Sequence, residues 1–343
     1  MMFEEHVPLG PLTTFRVGGG SRYSCMVKSE DDVRLALGFA SSKGVPFLII
    51  GGGSNLLVGD GEFPGLVIRM AVRGVREDAS SDDVRIEAGA GESWDDLVGL
   101  CVGRGYWGME NLSLIPGTVG ASPIQNIGAY GCEAKDIIES VRVIDSATGE
   151  ARTLSNAECL FGYRDSLFKG PEGRGLIVTG VTFRLSKRAR PNLSYKDLKD
   201  YFSSMEKGAH EPTLADIRAA VISIRQSKFP DLGSFGTAGS FWKNPILSAE
   251  AFSSFKIDHP LAPSYPQPDG SVKVPLAWVL DAVCGLKGYA KGPVHLFRNQ
   301  PLVLTAEFGA TSAEIDAFAR GIEAVVRAKT GIIIEREVNS VLC

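Results

Sequence analysis

Ser240 ends the run Gly236-Thr237-Ala238-Gly239-Ser240, whose small residues leave a hydroxyl within reach of a reacting group. By type alone such a serine can exchange a proton, finish a turn or cap a helix. The run lacks the second glycine of GxSxG and no triad histidine is placed with it, so a hydrolase nucleophile elbow is excluded. Near the C-terminus, Glu335 and Glu337 follow Ile332-Ile333-Ile334. A strand of period two puts both carboxylates on one face, and pattern does not choose between them. Arg164, next to Asp165, reads either as half of a surface pair of little energetic value or as a permanent cation facing an anion. The histidines (His6, His210, His259, His295) and the six scattered cysteines show no metal-ligand spacing, so no metal is expected.

Two stretches could hold a large ligand. Ile115 to Gly131 (IPGTVGASPIQNIGAYG) carries Gly117, Gly120, Gly128 and Gly131 and no charged residue. Glycine admits φ > 0 and close approach to the main chain. Gln125 and Asn126 offer amides, while Ile115, Val119, Ile124 and Ile127 offer apolar walls. That mixture suits a flat heteroaromatic ring with a polar edge and an attached phosphate. The second stretch, Gly51-Gly52-Gly53-Ser54-Asn55, follows an apolar strand at Val45–Ile50 and has the composition of an anion-binding nest. It is not the dinucleotide fingerprint of a doubly wound fold. Its third glycine position is Leu56, and Leu56-Leu57-Val58 reads as strand, not helix.

The elements that must position these residues come in mixed order. Strands are expected at Tyr23–Val27, Leu66–Arg69, Val84–Ala88, Val141–Asp145, Leu176–Leu185 and Leu302–Thr305, and again at Ile332–Ile334. Ser29 is an N-cap for a helix to Ser42, with Val33, Leu35, Ala36, Leu37 and Phe39 on its buried side. Ser93 caps Trp94–Val102, and Ser155 with Glu158 forms a capping box for Ala157–Phe161. Thr213 with Asp216 opens an amphipathic helix to about Ser227, Leu276–Cys284 reads as a helix, and Thr311 with Glu314 opens a long one ending at Gly331. Asp200–Pro212 reads as a linker. Leu232–Gly239 and Phe255–Gly270 read as loops. Strands and helices in this mixed order argue for an α+β protein.

Composition limits the alternatives. A net charge of −4 gives no electrostatic case for nucleic acid or an anionic membrane. The start MMFEEHVPLG is not a signal peptide, and no apolar run approaches membrane-spanning length. Scattered single cysteines fit a reducing compartment. A cytoplasmic monomer is the expectation. The 40 glycines exceed the roughly 7% of an average chain.

GGGSN, IPGTVGASPIQNIGAYG, Tyr163-Arg164-Asp165-Ser166, Gly239-Ser240-Phe241-Trp242-Lys243-Asn244-Pro245 and Glu335-Arg336-Glu337-Val338 follow one another in an order that resembles the UDP-N-acetylenolpyruvoylglucosamine reductases. These are flavoenzymes of bacterial cell-wall precursor synthesis, and the resemblance spans nearly the whole chain. It implies an FAD-binding fold of two small α/β subdomains with the flavin between them, plus a separate α/β substrate-binding domain. The boundaries expected are 1–70 with 331–343 returning to it, 71–212, and 213–330. FAD would be bound non-covalently, with NADPH as co-substrate and the enolpyruvyl ether of UDP-N-acetylglucosamine as substrate. Carried over by position, Ser240 is the proton donor, and Arg164 and Glu337 stabilise the enolate, Glu337 as a desolvated carboxyl of raised pKa. Cofactor contacts fall on Gly51, Gly52, Gly53, Ser54, Asn55, Ile115, Pro116, Gly117, Gly120, Ala121, Ser122, Ile124, Asn126, Gly128, Arg164 and Arg225. Substrate contacts fall on Tyr195, Lys228, Asn244, Lys287 and Gln300, and the Tyr195 segment marks the subtype with a tyrosine loop. Trp242 departs from a common phenylalanine, and Asn339 from an arginine found in some members.

Overall fold

The computed structural model describes residues 1–79, 82–204 and 211–341. Its contacts gather into two units. Unit 1 comprises Met1–Val7, Ser21–Gly53 and Pro64–Gln226; unit 2 comprises Pro8–Gly20, Ser54–Phe63 and Ser227–Cys343.

In unit 1 a four-stranded sheet runs in the order Phe3–Pro8, Gly20–Val27, Phe63–Met70, Phe47–Ile50. The last two strands are parallel, Phe47 opposite Leu66 and Ile50 opposite Arg69. Helix α1 (Glu30–Lys43) starts where the Ser29 side chain accepts the Asp32 N–H and stops at Gly44, whose φ of 62° only glycine adopts cheaply. It buries Val33, Ala36, Leu37 and Ala40, the 3- and 4-residue spacing of one helix face. Leu35, expected on that face, is 60% exposed, because two residues on from Val33 the helix has turned roughly 200°.

A five-stranded antiparallel sheet follows, in the order Ala151–Ser155, Ile138–Asp145, Leu176–Ser186, Asp83–Gly89, Val75–Ala79. Strict alternation along Asp83–Gly89 buries Val84, Ile86 and Ala88. Helix α2 (Trp94–Gly103), capped by Ser93, packs Trp94 edge-on against Phe183 and donates its indole N–H to Leu112 O at 2.8 Å. Helix α3 (Lys196–Ser203) and helix α4 (Leu214–Lys228) carry a smaller cluster in which Leu198, Ile217, Ala220, Val221 and Ile224 meet Tyr130.

Unit 2 has a four-stranded sheet, Gly236–Ser240, Val303–Ala306, Val294–Leu296, Ala290–Lys291, and a parallel pair of Leu56–Val58 with Asn339–Val341. Its helices are α5 (Ala249–Asp258), α6 (Leu276–Trp278) and α7 (Ser312–Thr330). Thr311 and Glu314 close the expected capping box of α7, and Gly331 ends it at φ 71°. Ile315, Phe318, Ile322 and Val326 are buried along one side of α7. Full burial of such side chains stabilises by roughly 1.5–3 kcal/mol each.

Several expectations change. The contacts group α4 with unit 1 through Gln226, not with a domain beginning at 213. The C-terminal strand Asn339–Val341 lies parallel to Leu56–Val58, and both belong to unit 2. The expected linker from Asp200 is helical to Ser203, and residues 205–210 lie outside those described. The loop at Leu232–Gly239 becomes a strand from Gly236, where a Cβ would sit 2.1 Å from Phe15 O, so small residues mark close packing here. The loop at Phe255–Gly270 begins as the end of α5, whose cap is Ser248. The Ser155–Glu158 box forms but supports one 3-10 turn, Ala157–Cys159, ended by Leu160 at φ 48°. The Leu276–Cys284 helix is α6 running into a π-helical turn at Val279–Val283. Ile332–Ile334 keeps its alternation, with Ile333 76% exposed between buried neighbours, yet pairs with no strand; the ladder starts at Asn339.

Candidate active site

In unit 2 the chain after Ser240 pairs with the C-terminal segment. Trp242 and Arg336 form an antiparallel bridge, Glu337 N donates to Phe241 O at 2.9 Å, and Lys243 N donates to Glu335 O at 2.9 Å. The pairing brings Glu337 beside the residue that follows Ser240. It also separates the two carboxylates that pattern left equivalent. Glu335 is a surface group, its side chain 71% exposed and ion-paired at 2.6 Å with Lys243 Nζ. Glu337 is half-buried, and its carbonyl accepts the Asn55 side-chain amide at 3.2 Å. Between them, Arg336 turns the other way. Its Nε meets Glu323 Oε1 at 2.6 Å and its Nη1 meets Asp316 Oδ1 at 2.6 Å, both on α7. Trp242, the departure from phenylalanine, donates its indole N–H to the same Glu323 oxygen at 3.0 Å. A phenylalanine could pack there but could not make that bond. Asn339, the other departure, opens the C-terminal strand opposite Leu56.

In unit 1 the glycine-rich stretch is irregular and bent at many points. Leu114, Asn126 and Tyr130 have φ of 57°, 45° and 48°, and Gly117 and Gly131 are positive too. Non-glycine residues held there cost of order 1–3 kcal/mol each, so their surroundings must over-determine them. Asn126 is fully buried. Its amide donates to Glu133 Oε2 and Gly162 O, and its Oδ1 accepts the Lys135 N–H. The buried Ser122 hydroxyl donates to Val119 O at 2.7 Å. Both side chains, expected as cofactor contacts, are thus committed to shaping the loop. The same loop meets the first glycine run: a Cβ on Gly52 would lie 2.7 Å from Gly117 Cα, and one on Gly51 would lie 2.5 Å from Thr118 Oγ1. Part of the bareness read as room for a ligand is therefore room for the two loops to touch.

Two permanent cations hold this loop. Arg164, itself at φ 51°, donates to Gly128 O at 2.6 Å and Asn126 O at 3.4 Å. Gly128 makes the space, since a Cβ there would come 2.8 Å from Arg164 Nη1. Arg225 is 9% exposed and donates from Nε to Leu114 O at 3.1 Å. Burial lowers its pKa, opposed by Tyr130 and Asp95. Burial pushes the Tyr130 hydroxyl up to about 12, against the nearby Arg225 charge. Arg225 is therefore not a solvated helix arginine. Tyr195 precedes α3, 44% exposed, its ring 5.4 Å edge-on from that of Tyr130. A loop without charges of its own, exposed main chain at Gly51 and Gly52, and two guanidinium groups on its carbonyls fit an anionic dinucleotide with a flat ring.

The remaining expected substrate contacts lie in unit 2. Lys228 ends α4, Asn244 Oδ1 accepts the Leu276 N–H at the start of α6, and Lys287 pairs with Asp281 at 3.1 Å on the surface. Gln300 is half-buried in the turn before Val303–Ala306, its carbonyl accepting the Val303 N–H. Sequence reasoning missed Asp95 and Arg218, which pair through both carboxylate oxygens at 2.7 and 2.9 Å. The available signal was Arg218 and Arg225 seven residues apart, on one side of a helix otherwise apolar there. Among the described residues no group of three His, Cys, Asp or Glu could hold a metal, and no helix is long and apolar enough to cross a membrane.

Residues 22–155 match the family model of the FAD binding domain, which makes the protein an FAD-dependent flavoprotein of α+β architecture. Residues 231–341 match the model of the UDP-N-acetylenolpyruvoylglucosamine reductase C-terminal domain. Over 341 residues the chain is 44% identical to the UDP-N-acetylenolpyruvoylglucosamine reductase of Chromobacterium violaceum, with 98% of each chain covered. It is 43% identical over 338 residues to that of Pseudomonas aeruginosa, again with 98% of each covered. The chain belongs to the UDP-N-acetylenolpyruvoylglucosamine reductase family and is an oxidoreductase. The crystal structure of the Thermus caldophilus enzyme shares the fold, with a TM-score of 0.68 at 23% identity and 99% of both chains covered.

Proposed function

We propose that this protein reduces the enolpyruvyl ether of UDP-N-acetylglucosamine to UDP-N-acetylmuramate, with NADPH as electron source, in the cytoplasm and as a monomer. FAD, held by the residues assigned to it below, would supply the hydride chemistry between NADPH and the enolpyruvyl double bond. The protein's own work begins with the carbanion left next to the carboxylate. Arg164 offers a permanent cation to the negative charge that spreads into that carboxylate. Glu337, as a carboxylic acid, donates a hydrogen bond to the same group. Ser240 delivers the proton to the carbanion carbon, a step open to a weak acid only because the acceptor is strongly basic. Tyr195, Lys228, Asn244, Lys287 and Gln300 are assigned to holding the substrate, the first two at its diphosphate. The cofactor is assigned to the loops at 51–55 and 115–128 with Arg164 and Arg225.

The observation that supports the proton-transfer assignment best is the backbone pairing of 241–243 with 335–337. It sets Glu337 beside the end of the Ser240 strand while Lys243 engages Glu335. The test separates the half-reactions in the absence of air. Ser240→Ala is expected to bleach with NADPH at a near wild-type rate and to regain colour with enolpyruvyl substrate at least 100-fold more slowly. Equal damage to both halves would remove Ser240 from the role. With the wild-type protein, return of colour only on aeration would indicate an oxidase, and no bleaching at all a bare flavin binder.

A further inference from the structure

We propose that Asp95 and Arg218 form a positioning clamp for the cofactor loop, acting through the main chain of Leu114. All the residues concerned lie in unit 1. Leu114 stands immediately before Ile115-Pro116-Gly117 and is held at φ 57°, a conformation that its side chain disfavours and that Pro116 does nothing to impose. Both of its main-chain polar groups are taken by side chains from elsewhere. Its N–H donates to Asp95 Oδ1 at 2.5 Å, and its carbonyl accepts from Arg225 Nε at 3.1 Å.

Asp95 is fixed in turn. The Arg218 fork grips both its oxygens at 2.7 and 2.9 Å. Burial works against the charged carboxylate, but Arg218 and the Leu114 N–H outweigh it and hold the pKa below the usual range. Arg218 lies over Gly99, one turn along α2 from Asp95, where a Cβ would come 3.4 Å from its Nη2. The clamp therefore joins α2 and α4 to a strained residue, and the loop that leaves it touches Gly52 through Gly117. Released, Leu114 relaxes toward negative φ and swings Ile115 and Pro116 out of place for FAD.

The inference rests on the assignment of the 115–128 loop to the cofactor. Flavin is stripped, and FAD binding to the apoprotein is followed by flavin fluorescence. Asp95→Ala is expected to weaken binding about tenfold and Arg218→Gln about threefold. The decisive variant is Leu114→Gly, since glycine adopts positive φ without support. In that background the Asp95→Ala loss is expected to shrink to within about twofold. An undiminished loss in the glycine background overturns the clamp, as does binding within twofold of wild type for both single variants. Should Asp95→Ala fail to fold, Arg218→Gln carries the same comparison with Leu114→Gly. Amide hydrogen exchange at residues 115–121 on adding FAD to the wild-type apoprotein reports separately on the loop assignment. Protection there supports it, and unchanged exchange removes the ground of both readings.

Discussion

The two parts of the proposed site are held by opposite means. In unit 2, Phe241–Lys243 and Glu335–Glu337 are aligned by main-chain hydrogen bonds, and the side-chain network of Arg336, Glu323, Asp316 and Trp242 reinforces a shape the backbone already has. In unit 1 the loop proposed to hold the cofactor has almost no ladder. Its course is dictated by Arg225 and Asp95 on the main chain of Leu114, by Arg164 on the carbonyls of Asn126 and Gly128, and by Asn126 on the carbonyl of Gly162, with Leu114 and Asn126 themselves at positive φ. A paired segment tolerates the loss of one side chain. A loop shaped by side chains loses its conformation with them.

The largest effect that would sharpen this contrast falls on chemistry. Glu337→Gln is expected to slow reoxidation by substrate about 100-fold or more while leaving flavin reduction by NADPH within a few-fold, measured by anaerobic stopped flow. Nearly full turnover would break the assignment. Next comes Gly128→Ala. The added methyl meets Arg164 Nη1 at 2.8 Å, Glu133 Cγ at 3.0 Å and the Cys132 carbonyl at 3.1 Å, so the guanidinium moves most and the Cys132–Glu133 backbone gives slightly. Turnover is expected to fall about tenfold, with a thermal midpoint only a few degrees below wild type. A collapse in stability would show that the loop, not the arginine, takes the strain.

Smaller effects concern unit 2 and the rim of unit 1. Arg336→Met leaves Glu323 partly buried without its cation, while Asp316 keeps Arg320 at 2.9 Å, and is expected to cost about 2 kcal/mol in denaturant unfolding. Glu323→Gln in the same chain should recover part of that. The smallest effect is electrostatic. Glu30 has a depressed pKa, chiefly from its hydrogen bond to Arg142, with burial opposing. Its contribution is present above the unfolded carboxylate value near 4.3 and is lost as pH falls through the lower folded value. Glu30→Gln is expected to cost less than about 1 kcal/mol at pH 7, with the cost shrinking as pH falls below the unfolded carboxylate value, measured by unfolding across that range.

Much of the fold is legible locally. Ser29, Ser93, Thr213 and Thr311 each start the helix that their neighbours require, and Gly331 ends the last. Misreadings arise where distant packing overrides composition. Gly236 looks like a loop residue because nothing nearby reveals the Phe15 carbonyl against it. Ile332–Ile334 looks like a strand because alternation records burial on one side and says nothing of a hydrogen-bonded neighbour. The site was legible as motifs, and the committed hydroxyl of Ser122 and amide of Asn126 were not.

By itself the sequence determined the capped helices α1, α2, α4 and α7, where the glycine loops fall, and that Ser240, Arg164 and one of two glutamates carry the family's pattern. Only the tertiary structure decided that Lys243 takes Glu335, that Arg336 points to α7, and that Leu114 is held at positive φ. Capping and periodicity act over a few neighbouring residues and leave their mark in the order of amino acids. Which carboxylate is left over, and which carbonyl an arginine finds, depends on partners tens to hundreds of residues away, and those meet only once the chain has packed.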